Sequence, residues 1–404
     1  MKHVVFLGDG MSDHPLTALN GKTTLQVART PHMDAMVASG IGGSTLNAPD
    51  HLPVGSDICN LGVLGYRLDT GYTGRSPIEA AAMGVELSDA DVAFRCNLVS
   101  LKEDNGVMDD FSAGHISTEE ACRYIQYLKQ HLQNEQFSFF PGVSYRHLVV
   151  WHGGMERMIT TPPHDISDQA IAPHLPHGEG AEPVRTLMER SMEILRDCPL
   201  NQERARLGKI PVSAIWLWGQ GKRPSFQRFT DLYGKRGAMI TAVDLMRGVA
   251  NCIGFRNIHV EGATGWIDTN YEGKAQACIE ALADVDLVYI HVESPDESGH
   301  AGKLQFKIQA IEDFDAKVVG PVMAHLQSRY HDSFRAVALP DHPTPVEVRT
   351  HTRDRVPFAM TGARITPDPC TSYDESLLQC GSVHLHDSTQ LMKMLLAIDE
   401  QKGS

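Results

Sequence analysis

Short apolar runs that end in polar, chemically capable residues recur along the chain. Four of them cover residues 3–7, 213–218, 286–292 and 335–339. Runs of about five apolar residues, separated by longer segments with a helical pattern, are typical of buried parallel strands in an α/β fold. Because the sites of open α/β sheets lie outside the carboxyl ends of the strands, we expect the polar residues after these runs at one edge of the sheet.

The middle of the chain has a different pattern, with polar turns and a stretch rich in proline, histidine and glycine. A length of 404 residues also favours two domains, or one large core with an insertion. We therefore predict an α/β protein with a mostly parallel sheet flanked by helices in residues 1–90 and 184–404. Residues 91–183 are predicted to form an inserted smaller α/β domain.

The composition restricts the class of protein. A formal charge of −14 argues against general nucleic-acid binding, which needs a basic surface. Eight scattered cysteines without a C-x-x-C pair suit a reducing compartment with mostly buried thiols. The N-terminal apolar run is too short for a signal peptide, and an apolar stretch of about 18 residues is absent from the sequence. We expect a cytoplasmic protein without a membrane span.

Asp9 and Ser56 are candidate site residues near the start of the chain. Asp9 follows the first predicted strand, where an aspartate is most often a turn residue or a helix cap. Ser56 precedes a helical segment at residues 58–64, where a serine is usually an N-cap. A hydroxyl at a helix N-terminus could also meet a phosphate held by backbone N–H groups. Each residue alone is weak evidence for a site.

The second half of the chain carries stronger signals. Asp296 and His300 are four residues apart, so on a helix they share one face and can bind one cation; the alternative is a solvated loop. Asp341 and His342 follow an apolar run between two prolines, which provide the bend that lets adjacent residues serve one metal. His351 comes nine residues after His342.

Together these residues provide three aspartates, three histidines and one hydroxyl, enough to hold two cations. Carboxylate and imidazole ligands suit Mn²⁺ or Zn²⁺ better than Mg²⁺ alone. Two metals about 4 Å apart can clamp the attacking and leaving oxygens of a displacement, and a bound hydroxyl becomes a better nucleophile. The pattern is therefore suited to an in-line displacement in which a metal-bound hydroxyl could act as the nucleophile.

These residues, in this order, resemble the cofactor-independent (2,3-bisphosphoglycerate-independent) phosphoglycerate mutases, in particular the archaeal-type branch of that family in the alkaline phosphatase superfamily. The resemblance covers nearly the whole chain. It is carried by Gly-Asp-Gly-Met at 8–11, Thr-Pro-His-Met-Asp at 30–34, Gly-Ser-Asp at 55–57, Ile-Trp-Leu-Trp-Gly at 215–219, Pro-Asp-Glu-Ser-Gly-His at 295–300, Pro-Asp-His-Pro-Thr-Pro at 340–345 and His-Thr-Arg-Asp-Arg-Val-Pro-Phe at 351–358.

The resemblance implies an alkaline-phosphatase-like core with an inserted cap domain. It implies one divalent ion on Asp296, His300 and His351. A second ion would lie on Asp9, Asp341, His342 and the Ser56 oxygen. Ser56 would take the phosphoryl group of 3-phosphoglycerate and return it to the 2-hydroxyl of glycerate, a glycolytic isomerisation without 2,3-bisphosphoglycerate. Candidates for holding this small phosphorylated substrate are Arg95, Arg146, Lys235 and Arg247.

Two positions depart from the family pattern, and three other functions stay open. Asn60 stands where a histidine is frequent, and His115 where an arginine is frequent. The alternatives are a homoserine kinase-like phosphotransferase, a phosphatase or phosphopentomutase-like enzyme on the same core, and a non-catalytic metal-binding relative. A kinase needs a nucleotide site, but Lys22 lies in an incomplete Walker pattern because position 16 is leucine.

Overall fold

The computed structural model describes residues 1–69, 71–102 and 106–398. The strands, numbered in chain order, are β1 (Lys2–Gly8), β2 (Gly40–Thr45), β3 (Val92–Lys102), β4 (Val107–Asp110), β5 (Phe137–Val143), β6 (Arg146–Trp151), β7 (Ala214–Lys222), β8 (Gly237–Ile240), β9 (Arg256–Ile258), β10 (Leu287–Val292), β11 (Phe334–Leu339), β12 (Val356–Gly362) and β13 (Val383–Leu385).

The α-helices, numbered in the same way, are α1 (Thr24–Val27), α2 (Pro31–Ala38), α3 (Ser56–Val63), α4 (Arg75–Ala82), α5 (Thr118–Leu132), α6 (Ala181–Arg196), α7 (Pro199–Arg206), α8 (Phe229–Tyr233), α9 (Asp244–Ile253), α10 (Tyr271–Ala281), α11 (Ser294–His300), α12 (Leu304–Phe314), α13 (Gly320–Tyr330), α14 (Leu377–Cys380) and α15 (Thr389–Leu396). A π-helical turn at Asp315–Val319 joins α12 to α13.

The chain divides into two compact units, one formed by Met1–Gly71 with Phe226–Ser404 and the other by Tyr72–Ser225. The second unit is wider at both ends than the predicted insertion at 91–183. At the C-terminal end the reason is β7, which pairs with β3 over residues 92–99 and therefore belongs to the sheet of the second unit. At the N-terminal end, the Ser76 hydroxyl of α4 donates to the Gly219 carbonyl in β7 and accepts the Arg95 N–H in β3.

The first unit contains a sheet with the strand order β13–β2–β12–β11–β1–β10–β8–β9. β1 is parallel to both β10 and β11, and β8 and β9 continue the parallel part on the far side of β10. Within the described strands of this sheet, β12 is the one that runs antiparallel to both of its neighbours, β11 and β2. The predicted mostly parallel sheet flanked by helices is confirmed, and the carboxyl ends of β10, β1 and β11 are adjacent.

The composition of the three central strands explains their position. All residues of β10 and β11 are buried, and β1 is buried from His3 onwards. Near-continuous apolar runs of this kind are typical of parallel strands covered by helices on both faces. Beside them, the Asp315 carboxylate in the π turn accepts hydrogen bonds from the backbone N–H groups of His32 (3.1 Å) and Met33 (2.7 Å), which caps α2.

The second unit contains an antiparallel sheet in which β3 pairs with β4, β6 and β7, and β5 pairs with β6. The apolar run at 213–218, predicted as a strand of the main parallel sheet, lies in β7 instead. That prediction was wrong about the sheet because a short apolar run looks the same in a parallel and in an antiparallel sheet. Across the described ranges of the chain, no helix is both long and apolar enough to cross a membrane.

Candidate active site

The polar residues after β1, β10 and β11 meet at one edge of the first unit's sheet. The register pairs Gly8 of β1 with Val292 of β10, and Leu7 with Leu339 of β11. Asp9 follows β1 directly, while Asp341 comes two residues after the end of β11. The edge rule for parallel sheets therefore brings together residues that are more than 280 positions apart in sequence.

Asp9, Asp341 and His342 form the first group of potential metal ligands, and their side chains are buried. The Nε2 atom of His342 lies 3.3 Å from Asp341 Oδ2 and 3.6 Å from Asp9 Oδ1. Asp341 Oδ1 accepts hydrogen bonds from the N–H groups of His342 (2.9 Å) and Gly10 (3.2 Å). Gly10 has φ of +62°, and a Cβ atom there would lie 2.6 Å from Asp296 Oδ1. The turn after β1 thus requires glycine.

Asp296, His342 and His351 form the second group of potential metal ligands, and His300 lies against this group. Helix α11 begins with Ser294-Pro295 and carries Asp296 and His300 on one face, with His300 Nε2 3.3 Å from Asp296 Oδ2. His351 Nε2 lies 3.5 Å from Asp296 Oδ1 and 3.0 Å from His300 Nε2. The His342 ring stacks on the His351 ring at a centroid distance of 3.8 Å, which joins the two groups.

Ser56 is the first residue of α3 and is half-buried. Its Oγ atom lies 3.3 Å from His342 Nε2, so the predicted nucleophile is in contact with the first group. We call the seven residues the Asp/His cluster: Asp9, Ser56, Asp296, His300, Asp341, His342 and His351. The structure brings together all seven residues that the sequence predicted for this site.

Burial and like charge shape the electrostatics of the cluster. Burial raises the pKa of the Asp9 carboxyl well above its usual range, and the neighbouring Asp341 and Asp296 carboxylates add to the effect. Burial alone would also raise the pKa of Asp296, but hydrogen bonds from His300 and His351 hold it well below its usual range. The hydrogen bond to Asp296 raises the pKa of His300 to about 9. Negative charge is therefore in excess around Asp9.

Residues in β10 and directly after it, which were not predicted, also lie at the cluster. His291 Nε2 lies 2.9 Å from Asp9 Oδ2, and its Nδ1 lies 3.2 Å from Thr241 Oγ1. Asp9, His291 and Glu293 form a third group that could hold a cation. The buried Lys274 lies beside this group, and its Nζ donates to the His291 carbonyl at 3.0 Å.

A sequence signal for these residues existed. Tyr289, His291 and Glu293 occupy alternate positions, so their side chains share one face of a strand that otherwise reads as apolar. The Tyr289 hydroxyl donates to Asn60 Oδ1 at 2.5 Å, and Asn60 Nδ2 donates to Asp341 Oδ2 at 2.8 Å. Polar residues at period two within a buried run are the pattern to look for.

The arginines predicted to bind substrate in the second unit lie close to each other but differ in burial. Arg95, on β3, is 8% exposed; its Nε is 3.1 Å from Glu79 Oε2, and its guanidinium stacks over Trp218 at 4.3 Å. Burial lowers the pKa of Arg95 to about 10, and the charges of Arg75 and Arg146 contribute. Arg146, at the start of β6, is exposed. Arg95 is thus already held by a carboxylate and a ring, while Arg146 faces solvent.

The two basic candidates in the first unit lie in different places. Lys235 precedes β8, whereas the Asp/His cluster follows strands that run parallel to β8. A parallel strand of six residues separates its two ends by about 20 Å, so the structure does not bring Lys235 to the cluster. Arg247 lies in the first turn of α9, after β8, and its Nη1 is 3.0 Å from Asp244 Oδ1. The charge of Arg247 contributes, after burial, to the lowered pKa of Lys274.

Comparison with known proteins identifies the family. The sequence model of the family described as 2,3-bisphosphoglycerate-independent phosphoglycerate mutase matches residues 38–201. A protein of Geobacter sulfurreducens named "Probable 2,3-bisphosphoglycerate-independent phosphoglycerate mutase" is 51% identical over 399 residues, which cover 98% of this chain and 100% of the relative. The chain belongs to the 2,3-bisphosphoglycerate-independent phosphoglycerate mutase family.

Solved structures agree with this family assignment at the level of the fold. A cofactor-independent phosphoglycerate mutase from Thermoplasma acidophilum superposes with a TM-score of 0.69 at 23% identity, covering 98% of this chain and 99% of that one. A Pyrococcus horikoshii protein superposes with a TM-score of 0.84 at 26% identity, covering 100% and 99%. The family predicted from the sequence is confirmed. As the family description states, its members are independent of 2,3-bisphosphoglycerate, and membership implies divalent metal ions.

The two positions expected to depart from the mutase family pattern have local roles. Asn60 Nδ2 also donates to the Ser56 carbonyl at 2.7 Å, so Asn60 joins the nucleophile's backbone to Asp341. His115 is exposed and ends a turn in which Ala113, Gly114 and His115 all have positive φ, with its N–H donating to Ser112 Oγ at 3.0 Å. Neither position disturbs the Asp/His cluster.

Proposed function

We propose that this chain interconverts 3-phosphoglycerate and 2-phosphoglycerate through a phosphoserine formed on Ser56. The observation that carries the proposal is the position of the Ser56 hydroxyl, 3.3 Å from His342 Nε2, inside a cluster of three aspartates and three histidines. A hydroxyl surrounded by potential metal ligands at the N-terminus of a helix is suited to accept a phosphoryl group. Family membership supports the choice of substrate.

The residues of the cluster fit two divalent ions. Asp9 Oδ1 is buried without a hydrogen-bond partner in the described structure, as expected for a ligand oxygen. We assign one ion to Asp296, His300 and His351 and the other to Asp9, Asp341, His342 and Ser56. Mixed carboxylate and imidazole ligands favour Mn²⁺ or Zn²⁺. Such ions would activate the Ser56 hydroxyl and stabilise negative charge on the transferred phosphoryl group.

The chain's own groups then have distinct tasks. The Ser56 hydroxyl loses its proton and Oγ attacks the phosphorus of 3-phosphoglycerate; the bond from phosphorus to the glycerate 3-oxygen breaks, and that oxygen takes up a proton. After glycerate turns, its 2-hydroxyl loses a proton and attacks the phosphoserine, and Ser56 Oγ leaves and is protonated again. The Asn60 amide donates to both the Ser56 carbonyl and the Asp341 carboxylate, which fixes the position of the Ser56 backbone relative to the first ligand group. The N–H groups at the start of α3 face the incoming phosphate.

The candidate substrate-binding groups are assigned for each unit by itself. We assign contacts with the substrate carboxylate or phosphate to Arg146 and Arg95 in the second unit and to Arg247 in the first, because guanidinium groups bind such oxygens in pairs. Lys235 is left out of this set because it lies at the amino ends of the parallel strands. A glycolytic substrate would place the protein in the cytoplasm.

The decisive experiment measures conversion of 3-phosphoglycerate to 2-phosphoglycerate by metal-stripped protein, with and without Mn²⁺, and free phosphate in parallel. We expect metal-dependent isomerisation without phosphate release. Release of phosphate at a comparable rate would indicate a phosphatase instead. Absence of both reactions would contradict the mutase proposal, and homoserine with ATP would be tested next.

The Ser56→Ala variant tests the nucleophile. We expect isomerisation to fall by about 10⁴-fold or more, while the fold and the metal content measured by mass spectrometry are retained. His300→Ala is the matched ligand variant and should lower the metal content. Full activity of Ser56→Ala would remove Ser56 from its proposed role.

A further inference from the structure

Two cysteines outside the Asp/His cluster lie in contact. The Sγ atoms of Cys370 and Cys380 are 2.8 Å apart, and both thiols are free. Cys380 ends helix α14 and is exposed, while Cys370 is buried at the start of the loop that leads into this helix. An exposed thiol against a buried one is the arrangement of an attacking and a resolving cysteine.

The Asp368 carboxylate holds the two cysteines in place independently of any bond between them. Its Oδ1 accepts the N–H of Cys370 at 3.1 Å. Its Oδ2 accepts the hydroxyl of Ser382 at 2.9 Å and the N–H of Gly42, in strand β2, at 2.8 Å. The residues before Cys370 and after Cys380 are therefore fixed to each other and to the main sheet. Because this backbone is already fixed, a covalent bond between the thiols would cost little additional conformational entropy in the folded state.

The remaining movement is small. A disulfide has a sulfur–sulfur bond of about 2.05 Å, so the thiols need to approach by less than about 1 Å. Helix α14 has only four residues and ends at Cys380, which leaves that side chain room to turn. The backbone hydrogen bonds around Asp368 can stay in place while the sulfur atoms approach.

We propose that Cys370 and Cys380 form a reversible intrachain disulfide, a modification site that locks the segment at residues 370–380. The oxidant is a low-molecular-weight disulfide such as glutathione disulfide. The Cys380 thiolate attacks one sulfur of this reagent, whose S–S bond breaks and releases one glutathione thiolate. Cys370 then loses its proton to water and attacks Cys380 Sγ, releasing the second glutathione thiolate. Two protein thiols are oxidised and one reagent disulfide is reduced to two thiols.

The order of attack follows from exposure. Cys380 is open to the reagent, while burial, the neighbouring Cys380 thiol and the Asp368 carboxylate raise the pKa of Cys370 to about 12. The buried thiol therefore reacts second, when the mixed disulfide is already within contact distance. The bond should close faster than a second glutathione can attach.

The locked segment supports the loop that follows Asp9. Within it, Tyr373 is buried and its N–H donates to Asp34 Oδ1 at 2.7 Å, and Glu375 Oε1 accepts the N–H of Asp13 at 3.2 Å. These contacts already exist with free thiols. The disulfide should therefore slow the opening of this segment and raise thermal stability, and it should leave turnover within about twofold, since no residue of the Asp/His cluster moves.

The test is to equilibrate the full-length, metal-loaded protein with glutathione disulfide and then alkylate the remaining thiols. Before alkylation we expect a mass lower by two hydrogens. After it, we expect six alkylated cysteines in place of the eight in the sequence and one cross-linked peptide pair carrying Cys370 and Cys380. Constraining an eleven-residue loop should raise Tm by about 3 °C or more, and dithiothreitol should reverse both changes.

Matched variants separate this pair from the other thiols. Cys122→Ser and Cys252→Ser change other partly exposed cysteines and should leave the cross-link and the Tm shift intact. Cys380→Ser should abolish both, and Cys370→Ser should leave a stable mixed disulfide on Cys380. A persistent glutathione adduct on Cys380 of the unaltered protein, or eight alkylated thiols after oxidation, would overturn the proposal.

Discussion

Two clusters in the first unit contain buried carboxylates, and they differ in the source of the positive charge that can neutralise them. In the lysine cluster, formed by Asp13, Lys307 and Glu375, the chain supplies its own cation. Lys307 is fully buried, and its Nζ donates to Asp13 Oδ2 (3.0 Å) and to the carbonyls of Ser12 (2.9 Å) and Thr344 (2.8 Å). All three ammonium hydrogens therefore have acceptors.

The Asp/His cluster contains more carboxylates and an incomplete set of partners. Two buried carboxylate oxygens have no hydrogen-bond partner in the described structure: Asp9 Oδ1 and, beside the cluster, Glu293 Oε2. Burial and the acidic neighbours of Asp9 raise the pKa of its carboxyl group. The lysine cluster holds the loops after β1 and β11 together through Ser12 and Thr344. The lysine cluster is thus neutralised by a side chain of the protein and stabilises the fold. The Asp/His cluster, with Glu293 beside it, keeps buried carboxylate oxygens without partners among the described residues, which suits the binding of cations from solution.

Removing the built-in cation should have the largest effect on stability. Lys307→Met leaves the Asp13 carboxylate buried without its partner, and breaking a buried ion pair in this way lowers the free energy of unfolding by about 3–5 kcal/mol. Urea denaturation of the metal-loaded protein measures the change. Lys303→Met, an exposed lysine four residues earlier, is the matched control and should stay within about 0.5 kcal/mol. A loss below about 1 kcal/mol for Lys307→Met would contradict this stabilising role.

A pH-dependent contribution of Glu375 should come next in size. Burial raises the pKa of Glu375 to about 7, so the folded state binds this proton more tightly than the unfolded state. The contribution of protonated Glu375 to the free energy of unfolding is complete below the pKa of this side chain in the unfolded state, near 4.5. It is lost as the pH rises through about 7, the pKa in the folded state. Relative to that of Glu375→Gln, the free energy of unfolding of the unaltered protein should fall by up to about 3 kcal/mol between pH 4.5 and pH 8. Parallel stability profiles of the two proteins would refute this assignment.

The smallest expected effect is a gain in stability in the Asp/His cluster. Asp9→Asn removes a carboxylate whose raised pKa shows that its charge opposes folding, so the metal-free variant should be more stable by about 1–2 kcal/mol. Thermal melts with a chelator and with Mn²⁺ measure the change, and Mn²⁺ should stabilise the unaltered protein more than the variant. Ser56→Ala keeps every charge and serves as the control. A less stable metal-free Asp9→Asn would contradict the proposed excess of negative charge.

The sequence was most informative where the separation of two residues along the chain determines the distance between them in the structure. Asp296 and His300 were predicted on one helical face and lie in one helix, and Asp341 and His342 were predicted just past a strand. The edge rule for parallel sheets then places Asp9 beside Asp341 without any knowledge of tertiary contacts. These residues follow from local geometry together with one general topological rule.

Other features depend on contacts that no local pattern contains. Lysine is rarely buried, so Lys307 reads as a solvated helix residue until the loops around it are known. The run at 213–218 was assigned to the wrong sheet because strand pairing depends on partners far away in sequence, here residues 92–99 of β3. Lys235 was predicted near the substrate, although its position before β8 puts it at the amino ends of the parallel strands.

The pairing of β1 has a consequence for the order of events during protein synthesis. His3 in β1 pairs with Leu287 in β10 and with Arg335 in β11, and in the sheet order only these two strands adjoin β1. At a translation rate of roughly 5–20 residues per second, β1 waits about 15–60 s for its first partner. Meanwhile the residues of the second unit are made, and their antiparallel sheet closes entirely within residues 92–222. The nascent chain therefore carries an apolar strand without its sheet partners until the last third of the polypeptide is made.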